Sequence, residues 1–328
     1  MQHVIFGSGP LGRATLGALL KRGETRVRVV NRSGQLSGVP PYVEVVRADA
    51  YHLESAQAAA RGADIVYNCA APTYSAQAWR TQLPLLWGNI LESAAAAQAR
   101  LVIGDNLYMY DEVAQRQPSQ LIHEDLPMHS TTSKGQARIE VVQQMLVAYQ
   151  SGRVELTFAR GSNFFGPFAD AQSTLGGRVF GAILQGRTAQ MLGHPDQPTS
   201  LTFIEDFGEA MVILGHSDAA FGRAWHVPNA PALTQRAALQ RIAELAGQPL
   251  KFSVLPGWLL PVLGLAVPEL REIREMLPKS QHPYLVSHER FADVYGDIHT
   301  PLDTALERTL AWFAGQLAVS RSAAPVPN

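Results

Sequence analysis

The chain reads as an α/β protein of Rossmann type, a doubly wound parallel sheet followed by a smaller C-terminal domain. Three observations predict this. An apolar strand, His3-Val4-Ile5-Phe6, runs straight into the glycine loop Gly7-Ser8-Gly9-Pro10-Leu11-Gly12, which opens a helical stretch from Arg13 to Lys21. A second strand, Val27-Arg28-Val29-Val30, follows at the distance a βαβ unit requires. Beyond it, short apolar runs alternate with helical spacing as far as Phe158, the order that yields a parallel sheet covered on both faces.

The opening loop also carries chemistry. Glycine removes the side chains that would keep a pyrophosphate away from the backbone, and a helix N-terminus turns unpaired amides toward it. Gly7, Ser8, Gly9, Pro10, Leu11 and Gly12 are therefore candidate dinucleotide-binding positions. At the end of the second strand, where a carboxylate usually meets the ribose 2′-hydroxyl, the chain carries Asn31-Arg32-Ser33. A carboxylate would repel a 2′-phosphate, whereas a guanidinium pairs with it through two charge-assisted hydrogen bonds. NADP(H) is the expected cofactor, with NAD as the alternative; a solvated surface arginine is the competing reading of Arg32.

The elements follow in order. Tyr42 to Val46 reads as a third strand leading to Asp49 and Ala50, His52 to Arg61 as a helix, and Asp64 to Asn68 as a fourth strand. The alanine-rich segment Ser75 to Gln98 is a long helix and Leu101 to Gly104 a fifth strand. Lys134 to Tyr149 is a helix with one apolar face, and Val154 to Phe158 a sixth strand. Ligands of such sheets bind outside the carboxyl ends of the strands. This singles out Asn68-Cys69-Ala70-Ala71-Pro72, then Asp105 to Tyr110, then Arg160 to Pro167. Cys69, Ala70 and Ala71 are small enough to pass beneath a nucleotide, although an ordinary tight turn has the same composition.

Bulk properties limit the function classes. A length of 328 residues favours a main domain with an annex. With a net charge of -1 and 17% charged residues, nothing suggests a nucleic-acid surface. The single cysteine, Cys69, excludes an internal disulfide and fits a reducing compartment. The first strand begins too close to Met1 for a cleavable signal, so a cytoplasmic location is expected. The apolar stretch Val254 to Val267 holds Pro256 and Pro261 and is shorter than the ~20 residues of a membrane span. It reads as a buried or dimer-facing helix pair, or as an apolar wall for substrate. The histidines are scattered without ligand spacing, and no metal site is expected.

Taken together, the segments resemble the extended short-chain dehydrogenase/reductases, the NAD-dependent epimerases and dehydratases that act on nucleotide sugars and related carbonyl compounds. The glycine loop, Asp49, the Asn68-to-Pro72 turn, the Tyr110 region, Arg160-Gly161-Ser162-Asn163-Phe164-Phe165-Gly166-Pro167, Thr202 to Phe207 and Trp225 to Asn229 all fall in that family's order. The resemblance implies a dinucleotide-binding domain over 1–165 with 200–228 returning to it. It also implies a mainly substrate-binding domain over 166–318, and 319–328 reads as a disordered tail. It adds Asp49, Ala50, Cys69, Ala70, Ala71, Lys134, Gly161 and Asn163 to the cofactor-binding set, and a homodimer through the helices at Ser75–Gln98 and Lys134–Tyr149.

The resemblance breaks at the catalytic motif. Family members carry a Tyr-x-x-x-Lys in which the tyrosine exchanges a proton with the substrate and the lysine holds the nicotinamide ribose. Here Lys134 fits the lysine, but Ser130 stands in place of the tyrosine, and Asn106 occupies the usual Ser or Thr position. An aliphatic hydroxyl is a poor acid near neutral pH, so Ser130 is left to orient substrate or water. Asn106 can donate a hydrogen bond to a developing oxyanion. Tyr108 is the leading candidate acid, by its place two residues before Tyr110, with Tyr74 and His129 as further candidates. The reading that follows is an NADP-preferring reductase passing hydride to a small carbonyl or enone. A nucleotide-sugar epimerase or dehydratase and a non-catalytic NADP sensor are the alternatives. Phe164, Phe165 and Phe168 lean toward a less polar substrate; Arg178 and Arg187 lean the other way.

Overall fold

The computed structural model describes residues 1–117, 120–171, 173–254 and 281–322. The chain divides into two compact units: Met1–Ser162 with Glu205–Pro228 and Val286–Ile298, and Asn163–Ile204 with Asn229–Leu285 and His299–Asn328.

In the first unit, β1 (His3–Phe6), α1 (Pro10–Lys21), β2 (Val27–Asn31), β3 (Glu44–Arg47), α2 (Leu53–Ala60), β4 (Ile65–Asn68), α3 (Ala76–Ala96) and β5 (Arg100–Asp105) follow one another. A 3-10 turn at Tyr108–Tyr110, α4 (Asp111–Arg116), α5 (Ser133–Gln150) and β6 (Leu156–Arg160) complete the continuous part. The seven-stranded sheet runs β3-β2-β1-β4-β5-β6-β11, every pair parallel, with β11 at Ala224–His226. The order reverses between β1 and β4, the switch point at which such sheets open a crevice. Every residue of β1, β4 and β6 is buried, while the edge strand β3 is not. Two covered faces explain why the inner strands read as continuous apolar runs.

Helices α2, α3 and α5 pack side by side on one face. On the other, α7 (Ile204–His216) lies so close to α1 that a Cβ on Gly208 would stand 2.3 Å from the Ala14 carbonyl carbon. The sequence boundaries are met to within a few residues. Three stretches lie in the other unit from the one expected: Asn163–Phe165, expected in the nucleotide domain, forms β7 of the second unit, residues 200–204, expected to return to the nucleotide domain, stay in the second, and Val286–Ile298, with α9 (Glu289–Tyr295), belongs to the first.

The second unit holds three two-stranded ribbons: β7 with β10 (Leu201–Phe203), β9 (Pro198–Thr199) with β12 (Leu233–Thr234), and β8 (Ala189–Met191) with β13 (Phe252–Val254). Its core gathers Phe165, Phe180, Phe203, Leu239, Ile242 and Phe313 between α6 (Phe180–Leu184), α8 (Gln235–Leu245) and α10 (Leu302–Ser322). Phe165 is therefore core, not substrate wall. Phe164 is half-buried, and Phe168 is exposed with its ring on Trp312 at 5.2 Å. The expected tail does not begin at 319, because α10 runs to Ser322. The rest of the tail, and the apolar stretch from 255 to 267, lie outside the described residues. Among the described residues no helix is long and apolar enough to cross a membrane.

Candidate functional site

The glycine loop is built by steric necessity. Gly7 has φ +100°, and a Cβ there would sit 2.9 Å from the Cys69 carbonyl oxygen; at Gly12 one would sit 2.0 Å from the Gly7 carbonyl oxygen. Neither position admits a side chain. A Cβ on Gly9 would meet nothing within 4 Å, so that glycine keeps an open approach instead of relieving a clash. Gly9 caps α1 with no side-chain hydrogen bond, Pro10 supplies no amide, and the first turn holds no acidic residue. The Leu11 and Gly12 amides point out of a helix end with no intrahelical acceptor. A diphosphate fits this cradle.

The carboxyl ends of β1, β2 and β4 are fastened together. Gly7 N donates to Val30 O and Cys69 N to Phe6 O, both at 2.9 Å. Asn31 Nδ2 donates to Ser8 Oγ at 3.1 Å and to Gln35 O at 3.0 Å, while Asn31 Oδ1 accepts from Ser33 Oγ and Gly34 N. Asn31 and Ser33 thus hold the loop that presents Arg32, which is exposed and makes no ion pair among the described residues. Asp49 Oδ1 accepts the Tyr51 amide at 3.0 Å, and the Ala50 carbonyl is taken by Asn89 Nδ2. Cys69 contributes backbone. Its thiol lies against Thr15 Oγ1 at 3.6 Å, and burial pushes its pKa up to about 12, so it is inert. Ala70 is anchored by Trp87 Nε1 on its carbonyl, and Ala71 is exposed.

Beyond β4 and β5 the polar side chains gather. The Tyr74 and Tyr108 hydroxyls are 3.2 Å apart, the Lys134 ammonium stands 4.6 Å from the centre of the Tyr74 ring, and Tyr108 stacks on Trp79 at 5.5 Å. Asn106 Oδ1 accepts the Tyr108 amide at 3.1 Å, which orients the 3-10 turn and leaves the Asn106 amide group as the donor. Ser130 is placed otherwise. Its Oγ bonds Thr132 Oγ1 at 3.0 Å and the Thr132 amide at 3.2 Å, and a Cβ on Gly135 would overlap it at 1.9 Å. It folds the N-terminus of α5 and offers no hydroxyl in the place of a tyrosine. His129 is exposed and pairs with Glu112. Gly161 is required because a Cβ would meet the Phe207 ring at 2.4 Å. Asn163 lies in the second unit, where its Nδ2 reaches Thr199 Oγ1 at 3.4 Å.

Sequence reading missed the support beneath this cluster. Asp105 and Arg160 are register partners on β5 and β6, joined by a 3.0 Å ion pair, and Arg160 Nη1 donates to Tyr110 OH at 2.7 Å. Arg138 lies 3.3 Å from Asp105 with its guanidinium over both Trp79 and Trp87, at 4.6 and 4.5 Å. Burial pushes the Arg138 pKa down and the Tyr110 phenol up. The available signals were the i,i+4 spacing of Lys134 and Arg138 and the two-turn spacing of Trp79 and Trp87.

The family model for the NAD dependent epimerase/dehydratase family matches residues 4–227. The chain belongs to that family, whose members are of the extended short-chain dehydrogenase/reductase type. Among solved structures it is similar to UDP-glucose 4-epimerase of Thermus thermophilus in complex with NAD, at 19% identity and TM-score 0.74 over 96% of this chain and 99% of that one. UDP-glucuronic acid 4-epimerase of Bacillus cereus with NAD matches at 15% identity and TM-score 0.78, covering 98% and 99%. The dTDP-glucose 4,6-dehydratase of Bacillus anthracis with NAD matches at 16% and 0.75, covering 96% and 97%. At these identities the likeness is one of fold. No curated protein sequence matches the chain.

Proposed function

We propose that the protein holds a pyridine dinucleotide on the Gly7–Gly12 loop and carries out hydride chemistry at an alcohol or carbonyl carbon of a nucleotide-sugar-type substrate, as an epimerase or dehydratase. Family membership and the named neighbours support this class. The observation that carries the catalytic assignment is the Tyr74–Tyr108–Lys134 cluster, which replaces the missing tyrosine with phenols from two other elements. The bound coenzyme supplies the hydride acceptor and donor. Tyr108 holds the proton exchanged with the substrate oxygen, Tyr74 passes it on through the 3.2 Å contact, and the buried Lys134 ammonium favours the phenolate form of its neighbour. Asn106 donates a hydrogen bond to the developing oxyanion.

A second reading is favoured by Arg32: a reductase that takes up NADPH, passes hydride to a carbonyl compound and releases the oxidised coenzyme. The two readings part in one experiment. Purified protein is extracted for retained nicotinamide coenzyme, then offered UDP- and dTDP-sugars with NAD, and carbonyl compounds with NADPH. Retained NAD with sugar turnover supports the first, NADPH consumption the second, and coenzyme binding without any turnover leaves only a sensor. Tyr108→Phe is expected to lower turnover by about 100-fold or more, the usual scale for loss of a general acid, and Tyr74→Phe by less. Full activity in Tyr108→Phe removes the assignment. A homodimer through α3 and α5 completes the proposal; Leu85 and Val147 on these helices are exposed, and light scattering tests it.

A further inference from the structure

We propose that His3, Glu24 and His216 form a binding site for a single divalent transition-metal ion, zinc foremost, at the amino end of the sheet and apart from the coenzyme loop. The three residues come from the first position of β1, the turn after α1 and the last residue of α7. That separation of 213 residues between the histidines, read from the sequence numbering, is why no ligand spacing is visible in the sequence. The expectation of no metal constellation is revised here on geometry.

One imidazole nitrogen each of His3 and His216 and a Glu24 carboxylate oxygen lie within 4.8 Å of one another. Glu24 Oε2 is 3.3 Å from His3 Nε2, and Glu24 Oε1 is 3.8 Å from His216 Nε2. Ligands at the usual zinc–nitrogen and zinc–oxygen distances in a tetrahedron stand about 3.3 Å apart. The His3–Glu24 side has that length already, the Glu24–His216 side needs a small rotation of a partly exposed carboxylate, and the two histidine ligand atoms stand within 4.8 Å of each other.

Both imidazoles are oriented for ligation. His216 Nδ1 bonds the Val212 carbonyl at 2.8 Å, so it carries the proton and leaves Nε2 with its lone pair toward Glu24. His3 Nδ1 faces the Tyr67 hydroxyl at 3.4 Å. Fastening the far nitrogen of a histidine to a carbonyl or hydroxyl is what fixes the tautomer in metal sites. The other ring nitrogen of His3 is fully buried and stands 3.3 Å from Glu24 Oε2 without completing a hydrogen bond to it. A buried imidazole nitrogen aimed at a carboxylate without bonding it is an incomplete arrangement that an ion completes. Arg22, beside Tyr67, is paired with Glu209 and does not compete for Glu24. Glu24 and His216 are about 30% and 29% exposed, so a water molecule has access to the fourth position.

Such an ion would tie β1, the α1–β2 turn and the end of α7 together as a structural clamp. The untagged full-length chain, stripped with a chelator and dialysed, is titrated calorimetrically with zinc chloride and spectroscopically with cobalt chloride. One equivalent of zinc is expected, with the intense visible absorption of four-coordinate cobalt and a rise in Tm of about 3 °C at a hundredfold excess over Kd. His216→Ala and Glu24→Gln, both at half-exposed positions that leave the core packed, are expected to weaken zinc at least tenfold; His194→Ala, on the other unit, is expected to leave it unchanged. Absence of stoichiometric zinc binding overturns the proposal. So does binding that survives both ligand variants or falls with His194→Ala.

Discussion

Two side chains carry opposite lessons about charge. Arg32 is held out by the Asn31–Ser33 turn and makes no ion pair among the described residues, and in the proposed reductase reading its partner is the 2′-phosphate of the coenzyme. A bidentate charge-assisted pair is worth about 1.5–3 kcal/mol, and Arg32→Ala is expected to reduce the NADPH-over-NADH affinity ratio by roughly 10- to 100-fold. Equal ratios in competitive titrations would show Arg32 to be surface decoration. His226 is the converse: fully buried, its Nδ1 on the Ser287 carbonyl at 3.0 Å, and its pKa lowered from the ordinary 6.5 to about 3 by desolvation, with Arg160 adding to the effect. The unfolded chain therefore takes up a proton between pH 6.5 and about 3 that the folded chain refuses. The stabilisation is complete above 6.5 and is lost as pH falls, at up to about 1.4 kcal/mol per unit. Unfolding free energies from urea titrations at pH 7.5 and 5 are expected to differ by about 2 kcal/mol more in the native chain than in His226→Gln; equal differences defeat the assignment. At this scale the cradle was legible, because glycine at three fixed positions has few uses after a strand. Ser130 was not, since only the fold turns its hydroxyl onto Thr132, the residue that caps α5.

The strands and helices of the first unit were readable because sheet burial on two faces writes continuous apolar runs, and each βα turn lies just after one. The second unit was not: its strands are two or three residues long and are paired across ribbons, too short for an alternation to register. The packing of α7 against α1 was equally hidden, because it rests on one glycine. A Cβ at Gly208 would lie 2.3 Å from the Ala14 carbonyl carbon and 2.6 Å from the Thr15 amide nitrogen, both backbone atoms that cannot swing away. Gly208→Ala must therefore push the helices apart. The expected cost is about 2–3 kcal/mol, read as a fall in Tm of several degrees. Because α1 carries the amides of the proposed dinucleotide cradle, dinucleotide affinity is expected to fall with it. A Tm unchanged by the substitution would mean that the helices slide freely past each other.

At the scale of the molecule, the first unit is not a contiguous stretch of chain, and this sets what can fold. Residues 1–162 end after β6, yet the sheet continues to β11 and its other face is covered by α7, both drawn from Glu205–Pro228. Periodicity alone does not reveal this return, which the sequence yielded only through its family resemblance, since strand order in space is fixed by crossovers and not by proximity along the chain. Without the return segment, all five residues of β6 would face solvent along one edge, although every one of them is buried in the whole protein. Phe207, which fills the space above Gly161, and Met211, which packs on Gly104 and Thr15, would also be gone. An apolar, unpaired strand edge is a template for aggregation. The fragment 1–162 is thus expected to bind a hydrophobic dye, to melt without a cooperative transition and to bind no dinucleotide, even though it contains the complete glycine loop. A sharp calorimetric transition in that fragment would show that the returning segment decorates the sheet instead of completing it.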